Sequence, residues 1–191
     1  MNVSNVVLNY AIYMTRKRFG QHWLKDERIL NEIVKVANLT RHDCVLEIGP
    51  GKGALTEKLI ESKAGLIHAI ELVRDLIFGL NKRFFKEKKF SLKQGDVLSV
   101  PLAPGTGNII NKVVANIPYN ITGPLLRRLV GELGKEPEIK FESLVLLMQK
   151  EVAERITAQP GDTNFSALSV RIQLLASCKD VCSVPSDCFY P

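Results

Sequence analysis

The sequence lacks the features that mark several large classes of protein. Its four cysteines include no Cys-x-x-Cys pair, which favours a reduced intracellular protein without a zinc site. No apolar run approaches the roughly 18 residues that a membrane-spanning helix needs. Residues 1–15 contain no charged side chain, so they do not fit a signal peptide with its leading positive charge. We therefore expect no metal site and no membrane span, and we interpret residues 1–15 as a loose N-terminal extension.

The composition fits one domain whose surface favours a polyanionic partner. The 191 residues are 46% hydrophobic and 24% charged, which is ordinary for a globular protein with a sizeable core. The formal net charge is +6 at pH 7, and such a charge attracts nucleic acid. Residues 15–24 join three consecutive cations to Phe19 and Trp23. This combination suits either contact with RNA or a solvated basic segment anchored by two core aromatics.

A glycine-rich turn between a strand and a helix predicts a nucleoside-binding site. Residues 44–48 form a mostly apolar run, and the pattern Gly-x-Gly-x-Gly follows at 49–53. A second predicted strand ends in Glu71, 22 positions after Gly49, where a carboxylate can accept hydrogen bonds from both hydroxyls of a ribose. Gly49 and Gly51 would let the backbone approach that ligand closely. A dinucleotide site would carry Gly-x-Gly-x-x-Gly, so nicotinamide binding is the weaker alternative.

Residues 112–120 read as a buried strand that ends in a rigid polar tip. The apolar run stops at Asn116, and Pro118 fixes its own φ and favours an extended conformation at Ile117. The Asn116 amide oxygen and the Ile117 carbonyl could then accept two hydrogen bonds from an exocyclic amine, while the Tyr119 ring stacks on the same base. An Asn-Pro turn that merely ends a strand is the competing interpretation.

Strands and helices alternate along the chain, which predicts an α/β fold with a doubly wound, mostly parallel sheet. Further strand candidates lie at 90–93, 141–148 and 181–184. Asp96 follows the first of these and could accept a hydrogen bond from an adenine amino group. Ligands lie at the carboxyl ends of such strands, where Gly49, Glu71, Asp96 and Asn116 fall. The helix predicted at 73–86 closes with a basic cluster, either a solvated helix end or an RNA contact.

Five short blocks of the sequence carry a family resemblance. They are Phe-Gly-Gln-His-Trp-Leu at 19–24, Glu-Ile-Gly-Pro-Gly-Lys-Gly at 47–53, Gly-Asp at 95–96, Asn-Ile-Pro-Tyr-Asn at 116–120 and Gln-Lys-Glu-Val at 149–152. Together they resemble the ribosomal RNA adenine N6,N6-dimethyltransferases of the KsgA type. The resemblance implies a Rossmann-like methyltransferase fold with S-adenosyl-L-methionine as methyl donor. It implies donor contacts at His22, Leu24, Gly49, Gly51, Glu71, Asp96 and Asn116.

The same resemblance implies a substrate and a mechanism. The substrate would be two adjacent adenines near the 3′ end of small-subunit rRNA, in the immature small ribosomal subunit. Asn116, Ile117 and Tyr119 would be catalytic, and Tyr119 and Phe189 would clamp the extruded base. We expect a monomer in the cytoplasm, or in an organelle stroma or matrix, that takes part in ribosome biogenesis.

The resemblance also predicts how the chain is divided into domains. Family members continue beyond a Phe-x-Pro motif, matched at 189–191, into a last antiparallel strand and a small helical RNA-binding domain. That strand would lie between the fifth and sixth strands of the sheet. The expected methyltransferase domain, 16–191, is therefore incomplete at its C-terminal end.

Three alternative functions stay open at this point. A related enzyme that methylates large-subunit rRNA and confers macrolide resistance shares these blocks, including the Ile of Asn-Ile-Pro-Tyr. A non-catalytic ribosome-assembly or RNA-binding factor would keep the fold without the reaction. A nicotinamide-dependent dehydrogenase is the weakest alternative, because the glycine pattern departs from the dinucleotide fingerprint.

Overall fold

The computed structural model describes residues 7–10, 23–105 and 107–190, with the backbone alone for 7–10 and 190. The strands are β1 Val7–Tyr10, β2 Trp23–Leu24, β3 Cys44–Ile48, β4 Leu66–Glu71, β5 Phe90–Gln94, β6 Lys112–Asn116, β7 Ser143–Leu147, β8 Ser177–Asp180 and β9 Phe189–Tyr190. The helices are α1 Glu27–Ala37, α2 Ala54–Glu61, α3 Arg74–Phe84, α4 Thr122–Val130, α5 Lys150–Thr157 and α6 Ala167–Leu175. Within these described ranges no helix is long and apolar enough to cross a membrane.

Seven strands form one sheet in the order β5-β4-β3-β6-β7-β1-β8, and each neighbouring pair is parallel. β2 and β9 form a separate antiparallel pair, in which Leu24 lies opposite Phe189. Parallel neighbours need crossover connections, and α2, α3 and α4 follow β3, β4 and β6 in turn. The predicted doubly wound α/β fold is confirmed.

The sheet separates two apolar cores because successive residues of a strand face opposite sides. Leu46 and Leu144 belong to one core with side chains of α4, α5 and α6. Their neighbours Val45 and Val145 belong to the other core with side chains of α1 and α2. Both faces of the central strands are therefore covered by helices, which leaves the ends of the strands as the place for a ligand.

A buried polar network joins β3 to β6 at the amino ends of the strands. The Asp43 carboxylate accepts a hydrogen bond from Asn111 Nδ2 at 2.7 Å and lies 3.1 Å from Lys112 Nζ. Burial alone would raise the pKa of Asp43, but hydrogen bonds from Asn111, Thr40 and Lys112 lower it below its usual range. This network holds the two strands together at the end of the sheet opposite the predicted site.

The predicted N-terminal extension contributes one strand. Val7–Tyr10 forms β1 and pairs with β7 on one side and β8 on the other, with Leu8 opposite Leu144 and Cys178. The expectation of a loose extension is wrong for these four residues. Without β1, facing backbone groups of β7 and β8 would have no strand between them, and buried backbone groups need partners.

The last strand that the chain adds to the seven-stranded sheet lies earlier in the sequence than we predicted. The expected strand at 181–184 is wrong, because Ser177–Asp180 forms β8 instead. The polar side chains of β8 suit a sheet edge, where they are largely exposed. The apolar segment after β8 packs in the core instead, where Val184 is fully buried beneath α1.

Candidate active site

The glycine turn between β3 and α2 is closely covered on two sides. Gly51 has a φ of +60°, and a Cβ there would lie 2.9 Å from Trp23 Nε1. Gly53 has a φ of +85°, and its Cβ would lie 2.8 Å from Phe84 Cε2 of α3. Larger residues would therefore strain the backbone and displace either the indole or the helix. The turn keeps its shape only with glycine at these two positions.

Glu71, at the end of β4, holds this turn in place. Its carboxylate accepts hydrogen bonds from the Gly51 N–H at 3.0 Å and from the Val73 N–H at 2.9 Å. The side chain is buried. Each carboxylate oxygen has a second lone pair, so Glu71 can still accept hydrogen bonds from a ligand above the turn. Glu71 therefore lies against the glycine turn with acceptor capacity left over, and its ribose role stays a prediction.

The polar tip after β6 lies directly against the glycine turn. The Ile117 N–H donates to the Leu147 carbonyl at 2.8 Å, which extends the parallel pairing beyond Asn116. Pro118 then leads into a short 3-10 helix, Tyr119–Ile121. A Cβ on Gly49 would lie 3.8 Å from Pro118 Cγ. The predicted donor turn and the predicted base-binding tip are therefore close neighbours, with room for about one methyl group between them.

A cavity opens between the turn, the tip and β2. Its walls are Trp23, Leu24, Leu30, Glu47, Gly49, Pro50, Lys52, Ala54, Leu55 and Asn116. The Lys52 ammonium lies 4.0 Å from the centre of the Trp23 ring, so a cation and an aromatic ring together close one side. Three of the predicted donor contacts, Leu24, Gly49 and Asn116, meet in this cavity.

Asp96 follows β5 and lies beside the end of β4, which carries Glu71. The Gly95 N–H donates to the Glu71 carbonyl at 2.9 Å, which ties the end of β5 to the end of β4. Asp96 is exposed, and its Oδ1 accepts a hydrogen bond from the Leu98 N–H at 2.9 Å. A carboxylate has about four acceptor positions, so Asp96 can also accept a hydrogen bond from a ligand.

One predicted contact lies away from the cavity, and another cannot be placed. His22 lies outside the described residues. Phe189 is only 5% exposed and packs in the apolar core with Leu24 and Leu30. A ring covered by the core cannot stack on a base, so the structure does not form the predicted clamp between Tyr119 and Phe189.

Sequence reasoning gave no role to Glu47 or Lys52 of the cavity, and it named Trp23 only as part of the basic segment 15–24. Glu47 is 1% exposed, and neither of its carboxylate oxygens has a hydrogen-bond partner within the described ranges. Burial raises the pKa of Glu47 to about 8, and the negative charge of Glu71 adds to that rise. The sequence did offer one indication, because Glu47 is the single acid inside the apolar run 44–48. An isolated carboxylate in a core is energetically unfavourable, which suggests a function.

The raised pKa of Glu47 predicts a pH dependence of stability. A pKa of about 8 against an ordinary 4.5 means that the folded chain binds more protons than the unfolded chain between these values. The free energy of unfolding should therefore fall with rising pH across this window, by up to about 1.4 kcal/mol per unit. Glu47→Gln should remove the slope, as urea unfolding at a series of pH values will show. An unchanged slope in the variant would contradict the assignment.

Two solved structures share this architecture. A dimethyladenosine transferase from Plasmodium falciparum superposes with a TM-score of 0.69 and 34% identity, over 80% of this chain and 52% of that one. The 23S rRNA methyltransferase ErmE superposes with a TM-score of 0.63 and 24% identity, over 78% of this chain and 55% of that one. The second likeness concerns the fold alone, and both confirm a methyltransferase-type architecture.

Sequence relatives cover nearly the whole chain. Ribosomal RNA small subunit methyltransferase A of Prochlorococcus marinus (strain NATL1A) is 68% identical over 184 residues, which are 96% of this chain and 63% of that protein. The protein of the same name from Synechococcus sp. (strain CC9902) is 60% identical over 184 residues, 67% of its length. The chain therefore spans about two thirds of the length of these relatives. The family model for ribosomal RNA adenine dimethylases matches residues 12–191, and the chain belongs to that family.

Proposed function

We propose that this chain transfers methyl groups from S-adenosyl-L-methionine to the N6 amines of two adjacent adenines near the 3′ end of small-subunit rRNA. The observation that carries the proposal is that Gly49 of the glycine turn and Asn116 of the polar tip line the same cavity. This arrangement supports a methyl donor and a target amine meeting there. The names of the relatives and the family support the same reaction.

The residues around the cavity fit this donor. Glu71 would accept hydrogen bonds from the ribose hydroxyls, and Asp96 would accept one from the adenine amine. Both residues lie at the carboxyl ends of neighbouring strands. Leu24, Gly49 and Gly51 would lie along the rest of the molecule, where the absence of side chains on the turn permits close approach. When bound, S-adenosyl-L-methionine supplies a methyl group attached to a positively charged sulfur.

The tip residues would bind and orient the target amine. Its lone pair is delocalised into the adenine ring, so hydrogen bonds to the Asn116 side chain and the Ile117 carbonyl would localise it on nitrogen. In the proposed transfer the nitrogen–carbon bond would form as the carbon–sulfur bond breaks, and the amine proton would pass to water. Burial raises the pKa of Tyr119 above its usual value, and the charge of Glu151 adds to the rise, so its phenol stays neutral. Tyr119 is therefore proposed to stack on the base and not to act as a base itself.

The cellular setting follows from the substrate. Such a reaction needs access to the immature small ribosomal subunit, in the cytoplasm or in an organelle stroma or matrix. A formal net charge of +6 favours that polyanionic partner. We propose that the chain acts there as a monomer, in ribosome biogenesis.

A methyl-transfer assay tests the proposed function. Small ribosomal subunits that lack adenine methylation are incubated with the chain and isotopically labelled S-adenosyl-L-methionine, and the labelled nucleotides are mapped by mass spectrometry. We expect N6,N6-dimethyladenosine at two adjacent positions near the 3′ end of the small-subunit rRNA. Large-subunit rRNA is offered in a parallel reaction, and label there alone would favour the resistance-type relative. Donor binding without transfer to either RNA would favour a non-catalytic assembly factor.

Substitutions of Tyr119 separate base stacking from donor binding. Tyr119→Ala should lower the rate of methyl transfer by roughly ten- to a hundredfold, taking base stacking at about 1–3 kcal/mol. Affinity for the donor should stay nearly unchanged, because the ring is proposed to contact the target adenine. Tyr119→Phe is the matched control and should retain most activity, measured in the same assay. Equal losses in both variants would assign the effect to the hydroxyl and overturn the stacking role.

A further inference from the structure

The outward face of α3 exposes two large aromatic side chains. Phe78 is 76% exposed and Phe85 is 75% exposed. Phe85 directly follows α3 and keeps helical dihedrals, with φ −61° and ψ −23°. Residues seven positions apart lie on the same side of a helix, about 10 Å apart along its axis. The two rings therefore form one exposed aromatic stripe.

This stripe does not belong to the core, because the opposite face of α3 already fills it. Leu80 and Phe84 are buried, and the Phe84 ring packs edge-on against Phe90 with centroids 5.4 Å apart. The same face closes over Gly53 of the donor turn. α3 is thus firmly seated by one face while the other faces solvent.

The cations in α3 and in the residues just after it include two groups. Arg83 donates to the Lys52 carbonyl at 3.0 Å and to the Glu57 carboxylate at 2.6 Å, and Lys89 donates to the Ser62 carbonyl at 2.8 Å. These two cations hold the fold together. The predicted basic cluster is therefore partly structural.

The second group lies on the stripe itself. Lys82 is exposed and stands four positions after Phe78 and three before Phe85, so it lies between the two rings. The Lys86 ammonium lies 5.5 Å from the centre of the Phe85 ring. Exposed Asp75 lies one turn before Phe78 on the same face, and exposed Glu87 directly follows Lys86. Alternating rings and ammonium groups match the chemistry of unpaired nucleotides, whose bases stack and whose phosphates attract cations.

We propose that the stripe formed by Phe78, Lys82, Phe85 and Lys86 binds unpaired nucleotides of the RNA substrate, which rests on the proposed function in taking RNA as that substrate. The stripe is connected to the active site, because α3 begins three residues after Glu71 and the Val73 N–H bonds the Glu71 carboxylate. The stripe therefore starts about one turn along the helix that leads away from Glu71. An apolar protein partner would not require the two lysines, and the positive charge of the chain favours the polyanion.

A binding titration with a fluorescein-labelled 12-nucleotide poly(U) RNA tests this inference. Phe78→Ala and Phe85→Ala should each weaken binding about fivefold or more, because each removes one stacking surface. Phe78→Tyr should bind like the unmodified chain. Lys82→Gln combined with Lys86→Gln should reduce the slope of log affinity against log salt by about 1.4, at about 0.7 per phosphate contact. Leu174→Ala and Lys63→Gln, exposed positions elsewhere, are the matched controls and should change neither quantity.

Phe78→Leu distinguishes RNA from an apolar protein partner, since leucine keeps apolar area but offers no ring. We expect it to bind RNA as weakly as Phe78→Ala, and full binding by Phe78→Leu would overturn the stacking role. Unchanged RNA affinity in the alanine variants, or no RNA binding by the unmodified chain, would overturn the inference as a whole. Donor affinity and the methylation rate at saturating RNA should be unchanged in every stripe variant. If the unmodified chain methylates RNA and Phe78→Ala has an unaltered KM for RNA, this inference is wrong and the proposed function stands. If RNA binds through the stripe but is not methylated, the proposed function is wrong and this inference stands.

Discussion

Glu71→Ala is expected to weaken binding of S-adenosyl-L-methionine by a hundredfold or more. The carboxylate now accepts hydrogen bonds from the N–H groups of Gly51 and Val73, at 3.0 and 2.9 Å, and is proposed to accept the ribose hydroxyls as well. Hydrogen bonds to a charged group contribute about 1.5–3 kcal/mol each, and about 1.4 kcal/mol corresponds to tenfold in affinity. Removing the side chain therefore removes the ribose acceptor and loosens the turn beneath it.

The measurement uses the single tryptophan of the chain, Trp23, which lines the cavity and reports donor entry by its fluorescence. Glu71→Gln keeps one acceptor oxygen and should lose less affinity than the alanine variant. Glu61→Gln removes an exposed carboxylate at the end of α2 and should bind the donor normally. The melting temperature should fall in Glu71→Ala, because the carboxylate also holds the fold of the turn. Unchanged donor affinity in that variant would refute the assignment.

Asn116→Ala should lower the rate of methyl transfer by roughly a hundred- to a thousandfold at saturating donor and RNA. One preorganised polar group aimed at the reacting centre typically contributes that much. Asn116 ends β6, and Ile117 is fixed to β7 by its N–H bond to the Leu147 carbonyl at 2.8 Å, so the tip needs little rearrangement to receive the amine. The rate is measured in single turnovers with saturating donor, because Asn116 also lines the donor cavity.

Two comparison variants sharpen this result. Asn116→Asp keeps an acceptor oxygen and should retain more activity than Asn116→Ala. Asn120→Ala changes an exposed amide four residues along the chain and should leave the rate unchanged. A rate for Asn116→Ala within threefold of the unmodified chain would show that the amine is aligned by other groups.

The site was predictable where local sequence carries its own physical signal. The glycine pattern and the polar residue that ends the strand 112–116 are both readable within a few residues, and the structure brings Gly49 and Asn116 together at one cavity. The spacing of Glu71 is a second local signal, and its carboxylate accepts a hydrogen bond from the glycine turn. The fold followed from the alternation of strands and helices. The meeting of Gly49 and Asn116 was implied only by the rule that ligands lie where parallel strands end.

The failures concern features that distant segments decide. Val7–Tyr10 enters the sheet through partners at least 130 residues away, which no local pattern reveals. Phe189 is covered because β9 pairs with β2 at the other end of the chain. Glu47 lies in an apolar run, and the sequence does not show that its carboxylate is buried without a hydrogen-bond partner among the described residues. Long-range pairing, more than local preference, separates the predicted from the observed structure.

The central claim is that the glycine turn and the Asn116 tip form one working donor site in this chain. Isothermal titration calorimetry of the chain with S-adenosyl-L-methionine tests it most directly. We expect saturable binding of one donor per chain, and no measurable binding to Glu71→Ala under the same conditions. The absence of saturable heat with the unmodified folded chain, or equal binding by both chains, would contradict the claim.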